Sequence, residues 1–127
     1  LRVYIHSYSS AVRRYTDDNC VGICRDGGFL SREAVFENFG VGILNDIPPG
    51  RVVLMDELGT MENSAPLFCA RVLELLDSSD IVLGSIKPVK TEFLNAVRSH
   101  PRVKVLELSE SSREEILNLS LQLINNK

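Results

Sequence analysis

The chain has 127 residues, of which 44% are hydrophobic and 24% charged, and a formal net charge of −3. Such a chain is an ordinary soluble globular domain, long enough for one real core, and its charge leaves no broad basic field for nucleic acid. No apolar run approaches the length of a membrane span, and no signal peptide is visible.

Residues 2–8 alternate, with Val3, Ile5 and Ser7 on one side and Tyr4, His6 and Tyr8 on the other, the period of a half-buried strand. His6 therefore reads as a strand side chain rather than a catalytic one. Residues 9–19, from Ser9 on, are polar and close on the turn cluster Asp17-Asp18-Asn19. Residues 21–24 form a short second strand, so the two predict an antiparallel pair. Cys20 and Cys24, four apart on it, read as packing residues. With Cys69 they make an odd, sparse set without metal spacing, which predicts free thiols in a reducing cytoplasm; with only two histidines, no zinc site is expected. Gly27-Gly28 has the look of a phosphate loop, but no Lys-Ser or Lys-Thr opens the next helix, so a turn is expected. Ser31 is expected to cap a helix running to about Asn45, with Val35, Phe36, Phe39, Ile43, Leu44 and Ile47 as its apolar stripe. Gly40 and Gly42 weaken its middle.

After the turn signal Pro48-Pro49-Gly50 comes the stretch 51–63, RVVLMDELGTMEN. Its continuous apolar run, Val52-Val53-Leu54-Met55, predicts a strand buried on both faces. The run ends in two carboxylates, Asp56 and Glu57; Gly59 breaks the strand, and a third carboxylate, Glu62, follows. Charges at the carboxyl end of a buried parallel strand sit where open α/β sheets place their ligands. Adjacent carboxylates there suit Mg²⁺ and a polarised water, one holding the metal and the next accepting a proton. Four apolar residues followed by Asp-Glu describe a Walker B strand and, equally well, a strand end whose acids cap the next helix.

Ser64 is expected to cap a helix with Pro66 in its first turn, burying Phe68, Cys69, Val72, Leu73 and Leu76 and ending at Asp77-Ser78-Ser79-Asp80. Residues 81–86 are the next buried strand. The segment Gly84-Ser85-Ile86-Lys87-Pro88-Val89-Lys90-Thr91 comes near the phosphate-loop pattern but has Val89 where the second glycine belongs, and Pro88 removes an N–H. A plain strand–helix turn is expected instead. Thr91 caps a helix bearing Phe93, Leu94 and Val97, Pro101 stops it, and residues 103–108 read as a last strand. Ser111 and Glu114 have capping-box spacing ahead of a final helix carrying Ile116, Leu117, Leu119, Leu123 and Ile124. From residue 31 onward helices and strands alternate, which predicts right-handed βαβ units. The expected fold is a single α/β domain over 1–127: a three-layer, mostly parallel sheet flanked by helices, with an amino-terminal antiparallel strand pair.

The longer string Asp56-Glu57-Leu58-Gly59-Thr60-Met61-Glu62 is more specific. It resembles the DEIGxME signature of a family of small P-loop nucleoside-triphosphatases of archaea and bacteria, known from thermophiles. The resemblance implies hydrolysis of an NTP (ATP or GTP) to NDP and phosphate with Mg²⁺, with Asp56 as the magnesium-side residue and Glu57 as the general base. It implies that Gly59, Met61 and Glu62 frame the nucleotide site, and that Ser85 and Lys87, where the family often has Thr and His, face the phosphates. It puts Arg113 near the nucleotide, matching the second member of the family's Asn-Arg pair while Ser112 departs from the first. A phenylalanine-bearing helix leads into the Walker B strand in the family, as here.

The likeness is specific at 51–63, moderate over 80–115 and weak before Arg25. The family's amino-terminal strand, P-loop and first helix have no counterpart. With a strand opening at Leu1, the expectation is the carboxy-terminal part of a longer enzyme whose P-loop lies upstream, inactive when isolated. Loss of that strand would leave backbone groups unpaired, so a homodimer or a rearranged strand order is expected. Two rival readings are a P-loop-less relative that serves as a binding or regulatory module, and an α/β interaction domain whose acidic loop is only a cap.

Overall fold

In the computed structural model the first strand, β1 (Arg2–Tyr4), pairs antiparallel with β2 (Cys20–Arg25), matching Val3 to Gly22 and Tyr4 to Cys20. The structure describes residues 1–7, 10–78 and 80–126; Tyr8 and Ser9 of the expected strand and loop, and Ser79 of the expected turn, lie outside the described residues, as does Lys127. The chain reverses at Gly27, whose φ of +96° is the left-handed conformation that glycine tolerates. It then adds a strand the sequence pattern did not announce, β3 (Gly28–Ser31), antiparallel to β2. The sheet order is β1-β2-β3. Gly22 makes room for the Phe29 ring, which a Cβ there would meet at 2.1 Å. The β1–β2 loop closes on Asn19, which is 2% exposed. Its amide donates to the Ile5 and Arg14 carbonyls at 3.0 and 2.8 Å and its oxygen accepts from the Thr16 backbone N–H and hydroxyl, so the buried group is satisfied.

The expected helix forms as α1 (Glu33–Val35), a π-helical segment (Phe36–Gly40) and α2 (Val41–Asn45). Arg32, not Ser31, stands at its start; the Ser31 hydroxyl instead donates to the Met61 carbonyl at 2.7 Å. Val35, Phe36 and Leu44 are buried as expected, whereas Phe39 is exposed, because the wider π turn shifts the apolar stripe off a 3.6-residue period. Gly40 is a packing position: a Cβ there would come within 2.9 Å of the Phe68 ring.

β4 (Val52–Leu58) and β5 (Ile81–Ile86) run parallel, joined through α3 (Pro66–Asp77). α3 starts at Pro66 after Ala65, without a side-chain cap from Ser64. α4 (Glu92–Ser99) is capped by Thr91, whose hydroxyl accepts from the Leu94 N–H at 3.1 Å. The core is Val21 of β2, Val35, Phe36 and Leu44 of the helical segment, Leu58, Ala65, then Phe68, Val72 and Leu75 of α3 and Phe93, Leu94 and Val97 of α4. All three cysteines are free, and Cys20 is fully buried. No helix among the described residues is long and apolar enough to cross a membrane.

Four further expectations are corrected. The run 103–108 forms no strand: Val105, Leu106 and Leu108 are 52%, 39% and 70% exposed. An apolar run is competent to pair, but a strand exists only beside a neighbour that takes its backbone groups, and this run pairs with neither β4 nor β5. β4 is likewise not buried on both faces, since Leu54 is 55% exposed. The α/β class holds, but among the described residues the parallel part is two strands and the antiparallel part three. Last, α5 (Arg113–Asn125) opens after Ser112, whose hydroxyl donates to the Glu107 carbonyl at 2.8 Å, rather than through a Ser111–Glu114 capping box.

Candidate functional site

β4 does not stop before its carboxylates; it runs through Asp56 and Glu57 to Leu58. Pairing with β5 slips there: Met55 lies opposite Gly84 and Leu58 opposite Ile86, three steps on one strand against two on the other. This is a β-bulge, which re-aims side chains next to it. In a regular strand Asp56 and Glu57 would point to opposite faces. Here both reach partners two apart in sequence: Asp56 Oδ1 accepts from the Ser85 hydroxyl at 3.1 Å, and Glu57 Oε1 stands 3.9 Å from Lys87 Nζ. Gly84 permits the close approach, since a Cβ on it would sit 2.8 Å from the Met55 carbonyl oxygen. The Lys87 N–H donates to the Leu58 carbonyl at 2.9 Å, carrying the ladder one residue past β5.

Lys87 lies across Gly59. A Cβ on Gly59 would be 3.2 Å from the lysine Cδ, so the glycine lets the aliphatic stem run flat towards Glu57. Both backbone groups of Gly59 are held by side chains: its N–H donates to the Glu62 carboxylate and its carbonyl accepts from the Asn63 amide. Glu62 is 3% exposed, and its backbone carbonyl accepts from the Ala65 N–H at 2.9 Å and the Cys69 thiol at 3.2 Å. The acidic string thus divides into two parts. Asp56 and Glu57 are exposed to solvent, whereas Glu62 and Asn63 brace the turn behind them.

The carboxylate–lysine pair is nearly half exposed on both sides, so it contributes little to stability; it holds opposite charges where an anion and a cation can both be met. Burial, then the nearby Glu62 and Glu37 carboxylates, push the Cys69 thiol up to about 11, which keeps it a protonated packing group. Two concavities of about 350 and 420 Å³ share Asp18 and Phe39, and neither is lined by Asp56 or Glu57. Among the described residues no cluster of three or more His, Cys, Asp or Glu could hold a metal alone.

Of the residues singled out from the sequence, Asp56, Glu57, Gly59, Ser85 and Lys87 come together, and Glu62 supports them through Gly59. Arg113 is the exposed first residue of α5, and no described hydrogen bond or ion pair joins it to this group. Two contributors have no sequence signal of their own. Asn63 has no motif position, and Arg98 is an ordinary basic residue in a helix's last turn, yet its guanidinium donates to the Lys87 carbonyl.

A family model described as NTPase matches residues 10–120. The chain belongs to this NTPase family. The matched span contains every candidate residue named above. Among curated relatives, nucleoside-triphosphatase THEP1 of Thermotoga petrophila is 32% identical over 66 residues, 52% of this chain and 37% of the relative. The THEP1 of Thermotoga maritima is 29% identical over 73 residues, 58% of this chain and 42% of the relative. The chain spans about two-fifths of the length of these curated relatives. No solved structure matches it.

Proposed function

We propose that this chain carries the Walker B part of a nucleoside-triphosphatase that hydrolyses ATP or GTP to NDP and phosphate with Mg²⁺. The observation that carries the reading is the bulged end of β4, which brings Asp56 and Glu57 beside Ser85 and Lys87 at the carboxyl end of a parallel pair. Membership of the NTPase family and likeness to nucleoside-triphosphatase THEP1 support it.

The donor set fits Mg²⁺. It is all oxygen and lies on an open surface with room for the waters and phosphates that this ion keeps. Asp56 would hold the ion through water; when bound, the ion neutralises phosphate charge. Glu57 positions the attacking water and takes its proton as the new P–O bond forms and the bond to the leaving phosphate oxygen breaks. Ser85 fixes the Asp56 carboxylate, and Lys87 presents a cation to the phosphates. Glu62 acts through the Gly59 turn. Arg113 is a nucleotide contact on the family resemblance alone.

Residues 1–127 contain no G-x-x-x-x-G-K-[ST], so the phosphate-binding N–H groups and lysine come from elsewhere. A preceding segment of the same protein is the source this reading favours, and it would also complete a three-layer sheet. A second copy covering the open strands is the other arrangement. The three free thiols fit a cytoplasmic protein.

The test is phosphate release from Mg²⁺·ATP and Mg²⁺·GTP. Residues 1–127 alone are expected to release almost none. The protein extended to include an upstream P-loop should turn over slowly, and Glu57→Gln should cut that turnover by roughly 10²-fold or more, the scale for loss of a general base, while nucleotide binding survives. Robust hydrolysis by residues 1–127, or activity indifferent to Glu57→Gln, overturns the assignment. Nucleotide binding by a native protein that starts at Leu1 and never turns over would replace it with the binding-module reading.

A further inference from the structure

We propose that Arg98 is a positioning residue for Lys87: a clamp from α4 that fixes where the lysine ammonium stands beside Glu57. The inference rests on the proposed role of the Asp56–Lys87 group, but its geometry stands without it. Lys87 is the first residue beyond β5 and is followed by Pro88, Val89 and Lys90, all exposed. A lysine on such a segment ordinarily samples many rotamers. Three contacts narrow its choice. Its N–H donates to the Leu58 carbonyl at 2.9 Å. Its stem lies on Gly59. Its own carbonyl accepts from Arg98 Nη2, while Arg98 Nη1 donates to Asn95 Oδ1 at 3.2 Å one turn back on the same helix.

The third contact differs in kind from the first two. The Leu58 bond belongs to the sheet and the Gly59 contact is apolar, so both hold Lys87 to β4. Arg98 ties the peptide after Lys87 to α4, whose inner face is anchored by Phe93, Leu94 and Val97. Pro88 cannot donate a hydrogen bond, so nothing on its nitrogen competes to orient the Lys87–Pro88 peptide plane. Two planar donors from one guanidinium, one on Asn95 and one on Lys87, set that plane with a geometry a lysine at position 98 cannot fully copy. Arg98 thereby links the packing of α4 to the place of the Lys87 charge. It touches neither carboxylate.

The test uses isotope-labelled 127-residue protein and three variants, Arg98→Gln, Arg98→Lys and Lys87→Met. Nuclear Overhauser contacts between the Lys87 δ- and ε-methylenes and the Gly59 α-protons report the lysine's position without any nucleotide. Arg98→Gln is expected to weaken these contacts severalfold while the Lys87 amide stays protected by its bond to Leu58. Arg98→Lys, which keeps a charged donor but not the planar fork, should restore them only in part. Unchanged contacts in Arg98→Gln overturn the proposal. So does joint loss of the contacts and of Lys87 amide protection, which would make Arg98 a support of the strand end rather than of the side chain. Titration of the protein extended to include an upstream P-loop with Mg²⁺ and inorganic triphosphate, read by phosphorus resonance, supplies the link to function. Arg98→Gln and Lys87→Met should each weaken binding roughly tenfold, and the double variant no further; additive losses overturn the proposal. If the extended protein binds no triphosphate, the nucleotide reading of the site fails while the methylene contacts still decide the role of Arg98.

Discussion

α4 and α5 are both amphipathic by sequence, yet they end in opposite circumstances. α4 has eight residues, of which Phe93, Leu94 and Val97 are buried; Thr91 caps its start, and His100 just past its end meets Asp77 at 2.8 Å. α5 has thirteen residues, none buried and none side-chain capped at the start, with Leu117, Leu119, Leu121 and Leu123 36–57% exposed. Apolar spacing decides which face of a helix is apolar; it does not provide the surface that face needs. α4 places its face in the core that also holds Phe68, Val72 and Leu75 of α3 and Leu58 of β4. α5 follows the unpaired run 103–108 and comes near β5 without burying any of its residues.

The contrast is broken most sharply by trimming one leucine from each helix. Leu94→Ala removes a fully buried side chain and should cost about 2–5 kcal/mol in urea unfolding, whereas Leu121→Ala, 47% exposed, should stay within about 0.5 kcal/mol. Comparable losses at both positions would show that α5 is covered in solution. A smaller effect is expected at the helix starts. Thr91→Ala should destabilise by about 1 kcal/mol through the lost cap, and Ser112→Ala by less, since the Ser112 hydroxyl bonds to Glu107 and Ser109 rather than to the helix.

The smallest effect sharpens the picture of the packed side. The Cys69 thiol is raised from 9.0 to about 11, first by burial and then by Glu62 and Glu37. The unfolded chain therefore gives up this proton at lower pH than the folded one. The contribution is fully present below about pH 9, falls as pH rises towards 11, and changes no further above that. Stability measured across this window should slope downward in the wild type and less so in Cys69→Ala. Alkylation of Cys69 in the folded chain should likewise set in only near the upper value. Equal slopes in the two proteins would contradict this.

How much of this was legible in the sequence depends on the range of the interaction. The β4 and β5 runs, the Asp56-Glu57 pair, the Thr91 cap and the apolar faces of α3 and α4 are local patterns, and each element forms where its pattern puts it, although β5 is not the buried strand expected and Leu75, not Leu73 or Leu76, completes the buried face of α3. The bulge between Met55 and Leu58 was not legible, because register is a property of two strands. β3 was missed because Phe29-Leu30 shows no alternation and its partner lies before it. The strand expected at 103–108 was wrong for the converse reason: the run is apolar enough for a strand, and no neighbour pairs with it. Of the site, the carboxylates and Ser85 and Lys87 could be named from motif position, while Asn63 and Arg98 act through single long-range bonds that leave no mark on spacing.

The start of α3 carries one more consequence. Pro66 has no N–H, the Cys69 N–H is taken by the Ala65 carbonyl, and the two left over, on Leu67 and Phe68, both donate to the carboxylate of Glu37 at 3.1 Å, thirty residues earlier. A negative group at that end also suits the helix dipole. The first turn of α3 is therefore closed by a residue of the π-helical segment, and it cannot be complete until that segment has docked. In deuterium exchange, the Leu67 and Phe68 amides should open together with residues 36–40 rather than with the rest of their own helix. A peptide of α3 alone should fray from its proline end. The turn leading out of the acidic motif thus belongs, by cooperativity, to the element that comes before it.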